Sequence, residues 1–243
     1  MDIVGHRGAS HLAPENTLAS VKLAWELGAD AVEIDVHLTK DKKVIVIHDA
    51  DTKRTTRSDL EVAQTDAALL RKLDAGSFKD KKYRAEKLPI IDEVLATIPP
   101  GKKLLVEVKC GPEIVPFLKR EFERTKKISQ VYVISFNFEV VAASKVQMPN
   151  VPALWLIKSK KNPAGIYQPH EIALIKKIKA NKLDGFGVHY AGVTAEFVTA
   201  VKRAGLKLFV WTVDQPAEAK RLEALEIDGL ISNRPGWIRE QLK

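Results

Sequence analysis

This chain has little that would hold it together from outside a core. Cys110 is its one cysteine, so no disulfide can close within the chain, and a reducing, intracellular setting is the simpler expectation. Long apolar runs are missing as well. A membrane span needs about 18 consecutive apolar residues, and here every apolar stretch is cut short by Glu, Lys, Asp or Gly. The start, MDIVGHRGAS, has neither the basic opening nor the apolar block of a secretory signal, so the reading expects a cytoplasmic protein with no transmembrane segment. Glycine and proline are sparse, 13 and 12 residues, which excludes fibrous and low-complexity chains. Acidic residues fall short of basic ones, 31 against 39. The resulting charge of +8 and pI near 9.4 would suit nucleic acid, an anionic membrane or a phosphorylated substrate. Most of the surplus is lysine scattered over helical stretches such as KKIKANK (176–182), where a solvated helix face accounts for it.

What is present is core material: 45% hydrophobic residues over 243 positions, a length that suits one large α/β domain. Eight short β-branched runs recur, at 2–5, 31–36, 104–109, 131–136, 151–157, 185–189, 207–213 and 228–232. Helical spacing fills most of the gaps, at 16–28, 112–127, 138–147, 170–181, 194–205 and 216–226. Pro112, Pro216 and Pro235 stand where helices should start, and Gly28 and Gly205 where they should end. Strands too apolar to face water on either side, alternating with helices, predict a (β/α)8 TIM barrel. An open doubly wound sheet is the alternative. One stretch breaks the rhythm: AVEIDVHL is followed by the polar TKDKK and a second β run, VIVIHD (44–49), too near for a crossover helix. A turn centred on Asp41 and Lys42 would put Asp35 and His48 roughly opposite. The chain therefore reads as a single domain, 1–243, with a small insertion after the second strand, at about 40–90, over the barrel mouth.

Side chains alternate faces along a strand, so Glu33 and Asp35 share one face, and Glu107 and Lys109 share another. Three carboxylates and one ammonium then point inward from neighbouring strands. Unpaired carboxylates cost several kcal/mol each to bury, so a positive partner is required. An oxygen-ligated divalent cation, Mg²⁺ or Ca²⁺, fits an all-carboxylate set; a network of ion pairs with basic side chains is the bland alternative. His6 and Arg7 close the first strand and His48 closes the hairpin, so two histidines converge on the same mouth, one as base and one as acid.

The motifs HRGAS (6–10), PENT (14–17), EIDVHLTKDKKVIVIHD (33–49), LDAG (73–76), VEVK (106–109), VWTVD (210–214) and DGLISNRP (228–235) together resemble the glycerophosphodiester phosphodiesterase family. The resemblance implies metal ligation by Glu33, Asp35 and Glu107, acid and base catalysis by His6 and His48, and phosphoryl contacts from Arg7 and Lys109. It further implies hydrolysis of diesters such as glycerophosphocholine or glycerophosphoethanolamine to glycerol 3-phosphate, through a cyclic phosphate. Glu15 and Asn16 match the PENT motif, although the same residues suit a helix start. Phe136 and Trp211 match aromatic positions lining the pocket, His189 and Tyr190 border it, and Asn233 stands where many relatives carry aspartate. His11, His37 and His170 have no evident partner, and Cys110 should face away from the site. Two other functions compete. A lysophospholipase D would need an exposed apolar rim on 50–90, and a phosphate- or nucleic-acid-binding protein would have lost the acidic set. The expected partner is thus a small-molecule glycerophosphodiester and not nucleic acid.

Overall fold

The computed structural model describes residues 1–243. Its strands are β1 (Asp2–His6), β2 (Ala31–Leu38), β3 (Val44–Val46), β4 (Lys103–Val108), β5 (Val131–Ser135), β6 (Ala153–Ile157), β7 (Gly185–His189), β8 (Lys207–Trp211) and β9 (Gly229–Ser232). All are parallel to their neighbours except β3, which runs antiparallel to β2. β1 pairs with both β2 and β9. That double pairing closes eight parallel strands into a barrel and rules out the open sheet, which would leave β1 or β9 with a bare edge.

Local chemistry explains the helix starts. Thr17, Asn137 and Thr194 each accept a backbone N–H of the following turn, relieving a donor that the first turn leaves unmatched. Pro216 and Pro235 occupy the first turn of their helices, where no N–H is needed. Regular helix in the 170–181 stretch covers only Leu174–Ala180, shorter than the spacing predicts, because Pro169 and the turn after it delay its start. No helix is long and apolar enough to cross a membrane.

Alternation along each strand sorts the core into two. Outward-facing Val32, Ile34, Val106 and Val133 pack under the helices, while Val4, Ala31, Leu105, Tyr132, Ile134, Leu154, Leu156, Phe209 and Ile231 fill the barrel interior. Gly229 leaves room for the Phe209 ring, which a Cβ there would meet at 2.3 Å. Cys110 packs with the outer cluster, and burial pushes its thiol up to about 11, as an inert structural cysteine requires.

The hairpin differs from expectation by one register step. Val36 faces Val46 and Leu38 faces Val44, so the turn centres on Asp41, with Lys42 at φ 60°, a three-residue loop ending in a left-handed residue. Opposite Asp35 stands Ile47, whose N–H donates to the Asp35 carbonyl at 3.0 Å, not His48. A one-residue slip turns a side chain to the other face. His48 reaches the mouth because regular pairing has stopped at Val46.

Residues 45–90 build a small cluster of their own from Ile45, Ile47, Val62, Leu70, Ala75 and Leu88. This stretch clasps the loop after β1. Tyr83 Oη donates to the Leu12 carbonyl at 3.2 Å, and Lys79 Nζ to the Ser10 carbonyl at 2.8 Å. Arg54 grips both oxygens of Glu15 at 2.8 Å.

Candidate active site

At the C-terminal end of the strands, where barrel enzymes carry their chemistry, lies a cavity of about 280 Å³. Its wall includes His6, Arg7, Glu33, His48, Glu107, Lys109, Phe136 and Trp211, all singled out from sequence, together with Ile134, Leu156, Lys158, Thr212 and Ile231. Strand register explains the assembly: His6 lies beside Glu33, and Asp35 beside Glu107.

Glu33, Asp35 and Glu107 are buried, and one oxygen from each lies within 4.8 Å of the others. The basic groups do pair with them, as the ion-pair alternative requires, but only in part. Lys109 Nζ sits 2.6 Å from Glu107 Oε1 and 3.5 Å from Asp35 Oδ1. Arg7 Nε lies 3.2 Å from Asp35 Oδ2, while its Nη1 is spent on Glu15 at 2.8 Å. Two cations therefore serve three carboxylates, and Glu33 Oε1 and Asp35 Oδ1 are buried with no hydrogen-bond partner. The imbalance is visible in the protonation of the acids. Burial, then Asp35 and Glu107, holds the Glu33 carboxyl well above its ordinary range. Burial and Asp35 push Glu107 up to about 7. Burial alone would lower Lys109, but Asp35 and Glu107 overcome it and raise its pKa. Orphaned oxygens gathered this closely are what a hard divalent cation binds, so the donor set fits one.

The two histidines are held differently. His6 Nδ1 lies 2.7 Å from Asn233 Oδ1, and the orientation of that amide is fixed from the other side, where Asn233 Nδ2 donates to Asp214 Oδ2 at 2.6 Å. Nδ1 must then carry the proton, which leaves Nε2 as the acceptor. Burial, then Arg7, lowers the His6 pKa. His48 Nδ1 instead meets a carboxylate, Asp49 Oδ1, at 2.7 Å, and Asp49 is itself held by Arg54 at 2.6 Å. That carboxylate accepts the Nδ1 proton and leaves Nε2 free.

Glu15 and Asn16 lie behind the cavity wall. Asn16 grips Asp35 twice, donating from Nδ2 to Oδ2 at 2.8 Å and accepting the Asp35 N–H at 3.1 Å; the helix-capping duty falls to Thr17. His189 does not line the cavity. It bonds to Ser159 at 3.0 Å and meets Trp211 edge-on at 5.3 Å. His37 and His170 each donate a ring N–H to a backbone carbonyl, of His48 and His189, as structural histidines do.

Sequence reasoning missed three contributors. Asn233 was noticed only as a departure, yet it sets the His6 tautomer. Arg54 carries no local signature at all. Lys158 continues the inward row Leu154, Leu156 of β6 and was legible by alternation.

The Glu15 pairing has a measurable signature. Burial would raise the Glu15 carboxyl, but Arg54 and Arg7 outweigh it and bring it down to about 2. A carboxyl lowered by folding stabilises the fold above its unfolded pKa and loses that contribution as pH falls toward the folded value. Glu15→Gln should therefore cost up to about 3 kcal/mol at neutral pH, a difference that shrinks between pH 4.5 and 2. Denaturant unfolding across that range is the measurement; a difference independent of pH would contradict the pairing.

Comparison with known proteins places the chain among relatives. The family model for the glycerophosphoryl diester phosphodiesterase family matches residues 6–237. A glycerophosphodiester phosphodiesterase of Caldanaerobacter subterraneus subsp. tengcongensis is 32% identical over 240 residues, covering 96% of this chain and 94% of the relative. Another, from Bacillus subtilis, is 30% identical, covering 99% and 86%. Among solved structures, an Oleispira antarctica phosphodiesterase in complex with the product sn-glycerol-3-phosphate superposes with a TM-score of 0.90 at 27% identity, covering 100% and 96%. From its eight-stranded barrel, its acidic cluster and this agreement along nearly its full length, the chain belongs to the glycerophosphoryl diester phosphodiesterase family.

Proposed function

We propose that this chain hydrolyses glycerophosphodiesters to glycerol 3-phosphate and an alcohol, with one divalent cation, Mg²⁺ or Ca²⁺, held by Glu33, Asp35 and Glu107. The observation that carries the reading is the trio of buried acids with two orphaned oxygens beside two differently partnered histidines. A bound cation would neutralise the acids and offset charge on the phosphoryl oxygens. Arg7 and Lys109, fixed by their carboxylates, direct positive charge at the same oxygens and stabilise a transition state richer in negative charge than the substrate. His6 Nε2 takes the proton from the glycerol hydroxyl adjacent to the ester as that oxygen attacks phosphorus. His48, oriented by Asp49, gives a proton to the departing alcohol. The cyclic phosphate that results is opened by water, with the two histidines exchanging roles. Phe136, Trp211, Ile134, Leu156 and Ile231 supply an apolar wall against the glycerol carbons.

On this reading residues 1–243 act as one domain, and the stretch at about 40–90 is an insertion that delivers His48 and fastens the loop bearing Arg7 and Glu15. The lysophospholipase D alternative gains little, since Leu69 is the only large apolar side chain exposed between residues 50 and 90.

Product analysis on glycerophosphoethanolamine tests the proposal. Hydrolysis should stop with chelator, resume when Mg²⁺ or Ca²⁺ is restored, and yield glycerol 3-phosphate. The same cation should raise the melting temperature of chelated protein. Turnover indifferent to chelation would overturn the metal assignment, and release of any other phosphate ester would overturn the reaction.

A further inference from the structure

One charge on the cavity wall has no place in the mechanism above. Lys158 is the first residue after β6 and continues its inward row, so its side chain joins the wall. Its ammonium stands 5.2 Å from the centre of the Phe136 ring, and that of Lys109 stands 5.9 Å from the same ring. The two lysines differ in their other neighbours. Lys109 is tied to Glu107 at 2.6 Å and Asp35 at 3.5 Å. Nearby Lys160 is paired with Glu171 at 2.7 Å. Lys158 has no carboxylate within 4.0 Å.

We propose that Lys158 is a specificity-determining residue that selects diesters by the charge of the leaving alcohol, favouring an anionic over a cationic one. The inference rests on the functional reading above and deepens it. Arg7 and Lys109 already serve the phosphoryl oxygens, so the positive charge of Lys158 falls on another part of the substrate. A cationic alcohol such as choline or ethanolamine would look for an aromatic face or a carboxylate. Neither is on offer here. The Phe136 ring has both ammonium groups beside it, and Trp211 meets that ring edge-on at 5.4 Å. Of the acids beside the site, Glu15 and Asp49 are both bound to Arg54, and Asp214 is taken up by Ser232 and Asn233. A like charge brought to this wall is repelled, and an opposite one is attracted.

Two diesters separate the cases: glycerophosphoethanolamine, and the glycerophosphodiester of 3-hydroxypropionate, whose leaving alcohols share a two-carbon spacer and carry opposite charge. Wild-type kcat/KM should favour the carboxylate ester by about tenfold at low salt, and the ratio should shrink at high salt. Lys158→Gln should bring the ratio toward one, and Lys158→Glu should reverse it. Melting temperatures of the exposed Lys158 variants should match wild type, so a change in ratio reports recognition and not folding. Turnover with a ratio unmoved by Lys158→Glu, including a parallel loss on both esters that would make Lys158 a phosphoryl contact, overturns this proposal alone. No turnover of either ester, with either cation present, overturns the functional reading and this proposal with it.

Discussion

Asp35→Ala is expected to lower cation-dependent turnover by at least about 10³-fold, since a single preorganised electrostatic contact at a transition state is commonly worth 10² to 10³. Asp35 sits at the centre of the cluster: it meets Arg7, Lys109 and Asn16 at once. On the proposed reading its loss removes a ligand of the cation and frees both Arg7 and Lys109. Asp35→Asn, which has nearly the same shape, should be almost as inactive if charge is what matters. Glu33→Gln makes the converse point. Glu33 is crowded by two other acids, and its Oε1 has no partner, so the neutral amide should leave metal-free protein at pH 8 at least as stable as wild type while abolishing the rise in melting temperature on adding Mg²⁺ or Ca²⁺. Near wild-type kcat in Asp35→Ala, measured with saturating cation, would contradict the assignment of these acids.

His6→Ala and His48→Ala should each lose about 10² to 10⁴ in kcat, the usual worth of one proton-transfer group. The two should part company when the leaving group changes. With a p-nitrophenyl ester of glycerol phosphate the departing oxygen needs no proton, so His48→Ala should recover most of its rate in the first, cyclising step. His6→Ala should not, because the attacking hydroxyl still has to lose its proton. The assignment follows from the fixed Nδ1 proton of His6 on Asn233 and from the Asp49 carboxylate behind His48. Recovery of His6→Ala in place of His48→Ala would exchange the roles. Asn233→Asp gives a subtler check: an anion beside Nδ1 should raise the pKa of His6 and shift the acidic limb of kcat/KM to higher pH, because the base would then stay protonated longer.

Much of this site follows from a single local rule. Alternation within AVEIDV and LLVEVK puts Glu33, Asp35, Glu107 and Lys109 on the barrel's inner face, and the rule holds because a pleated strand gives its side chains no other choice. Closure of the barrel was legible from the count of βα units. Features that depend on which distant residues meet were not. Arg54 and Glu15 lie 39 positions apart, and His6 and Asn233 lie 227 apart; neither pair leaves a periodic trace. The hairpin register was missed by one step because the turn takes three residues, with Lys42 left-handed, and a non-glycine residue gives no warning of that conformation. Lys158 was passed over although it obeys the same alternation, because a lysine after a strand reads as surface.

The seam between β1 and β9 ties the order of synthesis to the order of assembly. His6 is made 227 residues before the amide that orients it, so the barrel cannot close, and His6 cannot be aligned, until β9 and Asn233 have both emerged. A chain stalled before Gly229 should remain catalytically silent however much of its acidic cluster has formed.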